Sequence, residues 1–198
     1  ELDYPHLDGI DYPANWLLQP PVAVMLDFIR SLPFEWGAYY LSVTYSKLVD
    51  HKERKASGMF FTPPEVTAKL LNTCQRLGVD LTQAQIVDPA CGGCAFLLPA
   101  AMQINDILAR RGEGARERLE HIQSHIRGSE LDAYLAWMSG HFLRMALYTE
   151  IRESKLDFDV SLKVCDSLAA GADLFPETDL ILCNPPFRKV TADEKNDV

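Results

Sequence analysis

Near its C-terminal end the chain carries Asn184-Pro185-Pro186-Phe187, directly after the apolar run Leu180-Ile181-Leu182-Cys183. The run reads as a short buried strand, so the tetrapeptide stands where a strand stops and a loop begins. Two consecutive prolines cannot continue a sheet ladder and hold the backbone on a fixed, extended path. That path sets a side-chain amide (Asn184), a carbonyl that no ladder has claimed (Pro185) and an aromatic face (Phe187) side by side. Together they could grip a flat molecule that bears an exocyclic amino group. Taken alone, a rigid strand-ending turn explains them equally well.

Three upstream segments change that balance. Ile86-Val87-Asp88 reads as a strand followed by the turn Pro89-Ala90-Cys91-Gly92-Gly93-Cys94 and a helix from about Ala95. Such a turn lets a ligand approach the backbone, and the helix N-terminus offers N–H groups to a carboxylate. It is not the G-x-G-x-x-G dinucleotide fingerprint, which the chain lacks. Glu130 ends a second strand, where a carboxylate is placed to accept hydrogen bonds from ribose hydroxyls. Asp166 follows a third, where it could accept from an adenine amino group. Each alone is explained by an exposed strand end or a helix cap. Together, beside a glycine turn, they favour a nucleoside ligand.

The elements that must position these residues alternate. Two helices, Val22–Ser31 and Glu35–Asp50, precede a polar basic stretch at 51–58, and Tyr39, Val43 and Leu48 fall near helical spacing on the second. Thr62-Pro63-Pro64-Glu65 predicts a helix start with Thr62 as N-cap, running to Leu77 before Gly78. A helix over about 95–110, a polar helix over 115–124 and one long helix over 133–150 separate strands at 86–88, 126–131, 160–165 and 179–183. The charge run from Ala109 to Arg118 reads as an exposed helical face. This order predicts a parallel, doubly wound α/β sheet whose ligands lie beyond the carboxyl ends of its strands. Residues 1–56 read as an N-terminal arm and helical cap, and residues 57–198 as the α/β domain. With about four strands the sheet looks incomplete, and Glu1 in place of Met suggests an excerpt of a longer chain.

A length of 198 residues with 47% hydrophobic and 24% charged content suits a single globular domain. No apolar run approaches the roughly 20 residues that span a bilayer, so no membrane partner is expected. Five scattered cysteines point to reduced thiols in the cytoplasm. Cys91-x-x-Cys94 has no second ligand pair at zinc spacing, so no metal is expected and both are read as small buried hydrophobes. The net charge of −9 argues against the whole chain being a nucleic-acid clamp. Phosphate contacts would come from local residues such as Lys52, Arg54, Lys55, Arg188 and Lys189, or from a region outside this sequence.

Phe60-Phe61-Thr62-Pro63, Asp88-Pro89-Ala90-Cys91-Gly92-Gly93, Glu130, Asp166 and Asn184-Pro185-Pro186-Phe187, in that order, resemble the adenine-N6 DNA methyltransferases that use S-adenosylmethionine. The resemblance covers about residues 57–188. It is similar in motif order to the branch that includes modification enzymes of restriction–modification and phage-defence systems. It implies a Rossmann-like methyltransferase sheet with the first and fourth strands as neighbours. It also implies that Phe61, Thr62 and Pro63 contact the methionine part of the cofactor. Asp88 and the backbone of Ala90, Cys91, Gly92 and Gly93 would hold its amino-acid end. Glu130 would bind the ribose, Leu131 would lie against the adenine and Asp166 would receive its amino group. The partner implied is double-stranded DNA, met through a recognition region not in this sequence, with specificity or restriction subunits as further partners. Cys94 departs from the pattern, because the family's turn usually has a second glycine there.

The implied chemistry is methyl transfer, with S-adenosylhomocysteine as product. Asn184 and the Pro185 carbonyl would accept hydrogen bonds from the amino group of a flipped-out adenine, held on the rigid Pro185-Pro186 path, and Phe187 would stack on the base. Protein-glutamine or RNA-adenine methylation, and a catalytically silent cofactor-binding module, are the alternatives left open.

Overall fold

A computed structural model describes residues 19–50 and 59–185. Four strands, β1 (Ile86–Asp88), β2 (Ile126–Glu130), β3 (Ser161–Val164) and β4 (Leu180–Ile181), form one sheet in the order β3-β2-β1-β4. All three pairings are parallel. This is the Rossmann-like α/β arrangement expected, with β1 and β4 adjacent: Ile86 faces Leu180, Val87 faces Ile181, and the Leu182 N–H donates to the Val87 carbonyl at 2.9 Å. From β1 the chain progresses outward through β2 and β3, then returns to the other side of β1 as β4. The reversal of strand order therefore falls between β1 and β4, which is where open α/β sheets open a crevice for a ligand.

Eight α-helices are present among the described residues: α1 (Pro20–Arg30), α2 (Phe34–Leu48), α3 (Pro64–Arg76), α4 (Leu97–Arg110), α5 (Ala115–His125), α6 (Ala133–Ala146), α7 (Tyr148–Ser154) and α8 (Ser167–Ala170). Their starts follow local chemistry. Pro64 occupies the first turn of α3, and Asp132 caps α6 by accepting from the Leu135 N–H at 2.9 Å. Glu117 closes the start of α5 by accepting from the Gly114 N–H at 2.9 Å. The core between sheet and helices is aliphatic, with Ile86, Ile104, Leu108, Leu119, Ile122 and Ile126 all essentially inaccessible to water.

Several local expectations need correction. Pro63, not Thr62, is the N-cap of α3, and Thr62 is buried instead. The long helix expected over 133–150 breaks at Leu147, whose backbone leaves helical values while its side chain stays buried. The bend brings Glu150 to the Asn105 amide (3.0 Å) and the Arg118 guanidinium (3.5 Å). Arg118 also donates to Asn105 at 2.8 Å. The run ending at Arg118 is therefore not simply an exposed face: Arg118 is mostly buried in a three-residue polar cluster. Arg111, half-exposed, donates to Thr82 at 2.9 Å and lies near Asp80.

On α2 the buried positions are Gly37, Ala38, Ser42 and Ser46, whereas Leu48 is 80% exposed. The expected Tyr39-Val43-Leu48 face is not the one that packs. Small residues face inward because this helix lies close against the turn after β1, a contact that larger side chains would prevent.

Candidate active site

The turn following β1 is held in place by its own neighbours. Asp88 Oδ1 accepts from the Ala90 N–H (3.0 Å), the Cys91 N–H donates to the Ser129 carbonyl (2.9 Å), and Ser129 Oγ donates to the Pro89 carbonyl (2.8 Å). Gly92 donates its N–H to Glu130 Oε2 at 2.7 Å and accepts at its carbonyl from Ser139 Oγ at 2.5 Å. The helix begins at Leu97, later than Ala95. The amides of Ala90, Cys91, Gly92 and Cys94 thus already have partners inside the protein. The turn offers a ligand close backbone approach more than a row of open N–H donors.

That approach depends on glycine. Gly92 has φ +49°, and a Cβ on Gly93 would lie 1.9 Å from Ser42 Oγ and 2.6 Å from Ser42 Cβ. Phe61 packs over the same two residues, within about van der Waals distance of where their Cβ atoms would be. The turn is therefore gripped between α2 and the Phe61 ring. Cys94 has φ +65°, so the position where the related turn usually has glycine does require the left-handed region. Its side chain is fully buried, as Cys91 almost is, and both thiols are unpaired. Burial pushes both thiols well above their ordinary range, which suits small apolar packing.

Above the turn lies an open cleft of about 80 Å³. Of the expected cofactor residues, Phe61, Ala90, Gly92, Glu130 and Leu131 line it, and so does Asn184 from the far side of the switch point. Leu131 (59% exposed) and Phe60 (62% exposed) present apolar surface at its edge, a place for a flat ring. Glu130 reaches between two loops, taking the Gly92 N–H on one oxygen and the Asp132 N–H on the other at 3.0 Å. Burial raises its carboxyl above the ordinary range, opposed by those two N–H donors.

Asp88 lies beneath, 1% exposed. Its Oδ2 is buried with no full hydrogen bond; the Cys183 thiol stands close enough to interact with it without completing that geometry. Burial raises the Asp88 carboxyl to about 7, and the Cys183 thiol, by its own burial and then by the Asp88 charge, to about 12. Sealed beneath the turn in this way, the carboxyl favours its neutral form.

Asn184 donates its Nδ2 to the Phe60 carbonyl at 3.4 Å. Because a carbonyl can only accept, this contact favours the orientation in which Nδ2 faces Phe60, and Oδ1 accepts no hydrogen bond among the described residues. Pro185 is exposed, with its carbonyl beyond the last ladder bond. Pro186 and Phe187, and the basic residues Lys52, Arg54, Lys55, Arg188 and Lys189, lie outside the described residues.

The remaining expected residues are not in the cleft wall. Thr62 is buried in a smaller void between α2, α3 and the turn, which Gly93 also borders. Pro63 begins α3. Asp166 caps α8, accepting from the Leu168 and Ala169 N–H groups at 3.0 and 3.3 Å, while its neighbours Cys165 and Ser167 face the cleft. Sequence reasoning missed Met59, Pro89, Leu135, Cys165 and Ser167 as lining residues. Pro89 was signalled by its place in the turn, whereas the others are brought there by packing.

The sequence matches the family described as N-6 DNA methylase over residues 41–198, a range beginning within α2. Among solved structures, a chain from the cryo-EM structure of a DrdV–DNA complex is similar in fold, with a TM-score of 0.56 and 14% sequence identity. The alignment covers 82% of this chain and 17% of that one, so the present chain corresponds to about a sixth of that longer protein. No match was found among curated proteins. With the family match running over most of its length, the chain belongs to the N-6 DNA methylase family.

Proposed function

We propose that this chain is the cofactor-binding and catalytic part of an S-adenosylmethionine-dependent DNA adenine-N6 methyltransferase, belonging to a restriction–modification or phage-defence system. The observation that carries the reading is the Asn184 side chain, turned by its bond to Phe60 so that Oδ1 remains an acceptor beside a cleft bearing Glu130 and the glycine turn. An amino group with two hydrogens needs two acceptors, and the Pro185 carbonyl is the second.

The residues present fit the cofactor. Asp88, buried beneath the turn, would hold the cofactor's amino-acid end through the turn that it braces at the Ala90 N–H. Glu130 can accept further hydrogen bonds from ribose hydroxyls, since each carboxylate oxygen has two lone pairs. Leu131 and Phe60 offer apolar surface to a purine. When bound, S-adenosylmethionine supplies a methyl group activated by a sulfonium centre.

The protein's own part is to make a poor nucleophile competent. The adenine amino lone pair is delocalised into the ring. Two acceptors, Asn184 Oδ1 and the Pro185 carbonyl, favour a more tetrahedral nitrogen and stabilise the positive charge it develops. Positioning supplies the rest of the rate. The target atom lies inside a duplex, so the base must be flipped out, with Phe187 as its stacking partner. The acidic net charge of −9 supports a separate recognition region that carries most phosphate contacts. The free thiols suit a cytoplasmic setting.

The test is transfer of labelled methyl from S-adenosylmethionine by the complete protein, offered plasmid DNA, RNA and protein in parallel. Label on DNA adenine supports the proposal. Label confined to RNA or protein, or none on any substrate, overturns it.

A further inference from the structure

Tyr45 of α2 reaches the loop after β2, its hydroxyl donating to Asp132 Oδ2 at 2.9 Å. The ring packs on Tyr134, with centroids 4.6 Å apart. Asp132 does two further things: its Oδ1 caps α6 through the Leu135 N–H, and its own N–H donates to Glu130 Oε1. Glu130 in turn holds the Gly92 N–H, and Gly92 accepts from Ser139. A continuous chain of hydrogen bonds therefore runs from α2 through the loop 130–132 into the glycine turn and on to α6. Leu131, which lines the cleft, stands between two residues that this chain pins.

A second contact ties the same helix to the same site. Ser42, one turn before Tyr45, lies so close to Gly93 that a Cβ there would overlap it. One face of α2 thus touches both cleft-forming loops, the turn after β1 and the loop after β2. Burial and the adjoining Asp132 carboxylate push the Tyr45 hydroxyl far above its ordinary range, so it remains a donor throughout any working pH.

We propose that Tyr45 is a positioning residue for cofactor binding, holding Asp132 so that Glu130 and Leu131 keep the spacing a nucleoside requires. Tyr45 does not itself line the cleft and acts through Asp132. The inference rests on the cleft being the S-adenosylmethionine site. It assigns to the helical segment before the Phe-Thr-Pro element a direct part in shaping that site.

Tyr45→Phe is the informative variant, because it retains the ring packing on Tyr134 and removes only the hydroxyl. Affinity for S-adenosylmethionine, measured by titration calorimetry on the full chain, should weaken about fivefold, less than the full worth of a charge-assisted hydrogen bond because Tyr45 acts only through Asp132. Hydrogen exchange should quicken in a peptide spanning 129–135 and stay unchanged in the helices α4 and α5. The turnover rate at saturating cofactor should be unchanged. Unaltered affinity in Tyr45→Phe while the wild type binds overturns the inference alone. A loss accompanied by faster exchange throughout the chain also overturns it, since the role is then general stability. Failure of the wild type to bind the cofactor overturns the reading of the cleft and this inference with it.

Discussion

The Asn184 side chain donates to the Phe60 carbonyl, 124 positions earlier in the chain, at 3.4 Å. This single bond joins the segment before α3 to the loop after β4, and it orients the amide so that its oxygen stays available. If that oxygen holds the reacting amino group, Asn184→Ala should lower the turnover number for DNA methylation by about 10²-fold or more. Affinity for S-adenosylmethionine should change little, because Glu130 and the glycine turn are untouched. Single-turnover kinetics alongside cofactor titration would measure both, and full turnover in Asn184→Ala would contradict the assigned role.

Gly93 and Ser42 form a paired constraint. Gly93→Ala places a methyl group 1.9 Å from Ser42 Oγ and should destabilise the protein by about 1–3 kcal/mol, through strain rather than lost burial. Combining it with Ser42→Gly should recover part of that loss even though glycine within a helix is itself unfavourable by about 1 kcal/mol. Denaturant unfolding of the two single variants and the double variant measures the coupling. Strict additivity would show that the helix and the turn are not in contact.

Cys94 allows a test of backbone strain. At ordinary positions alanine is at least as stable as glycine. At φ +65° that order should reverse, with Cys94→Gly more stable than Cys94→Ala by about 1 kcal/mol. Both variants lose the buried sulfur, and alanine alone keeps a buried methyl group, so any advantage of glycine is a lower bound on the conformational term. Thermal melts of the pair decide it.

Asp88 makes stability fall as pH rises. Its folded value of about 7 lies above the ordinary unfolded value, so the folded protein retains a proton that the unfolded chain has released. Its contribution is fully present below the unfolded value, near 4, and is lost as pH climbs through about 7. The window of loss is therefore about pH 4–7, with a total of at most about 4 kcal/mol. The burial-raised Glu130 carboxyl acts in the same direction. Asp88→Asn should flatten, without abolishing, the fall in melting temperature between about pH 4 and 7. It should also weaken cofactor binding. An unchanged pH profile would show that Asp88 is already ionised in the folded protein.

Much of the site was legible in the chain because its parts are local. Proline pairs, a glycine turn and carboxylates at strand ends each act through a few consecutive residues, and their period and spacing survive in one dimension. For the same reason the strand positions and most helix bounds were readable within a few residues. The break at Leu147 was not, because 133–150 is locally a good helix and the break goes with tertiary contacts, the burial of Leu147 and the meeting of Glu150 with Asn105 and Arg118.

The residue types at each strand end, and hence the chemistry available, were determined by the sequence alone. Only the tertiary structure decided which of them meet. It set Asn184 against the cleft above the glycine turn through the β1–β4 pairing, drew Cys165 and Ser167 into the cleft wall, and turned Asp166 into the cap of α8. It also decided that α2 buries Ser42 and Ser46 while exposing Leu48. Hydrophobic periodicity ranks side chains by their transfer out of water, but a helix pressed against a glycine turn is selected by how little space it occupies. That requirement is set by the partner surface, and it appears only once the chain has folded.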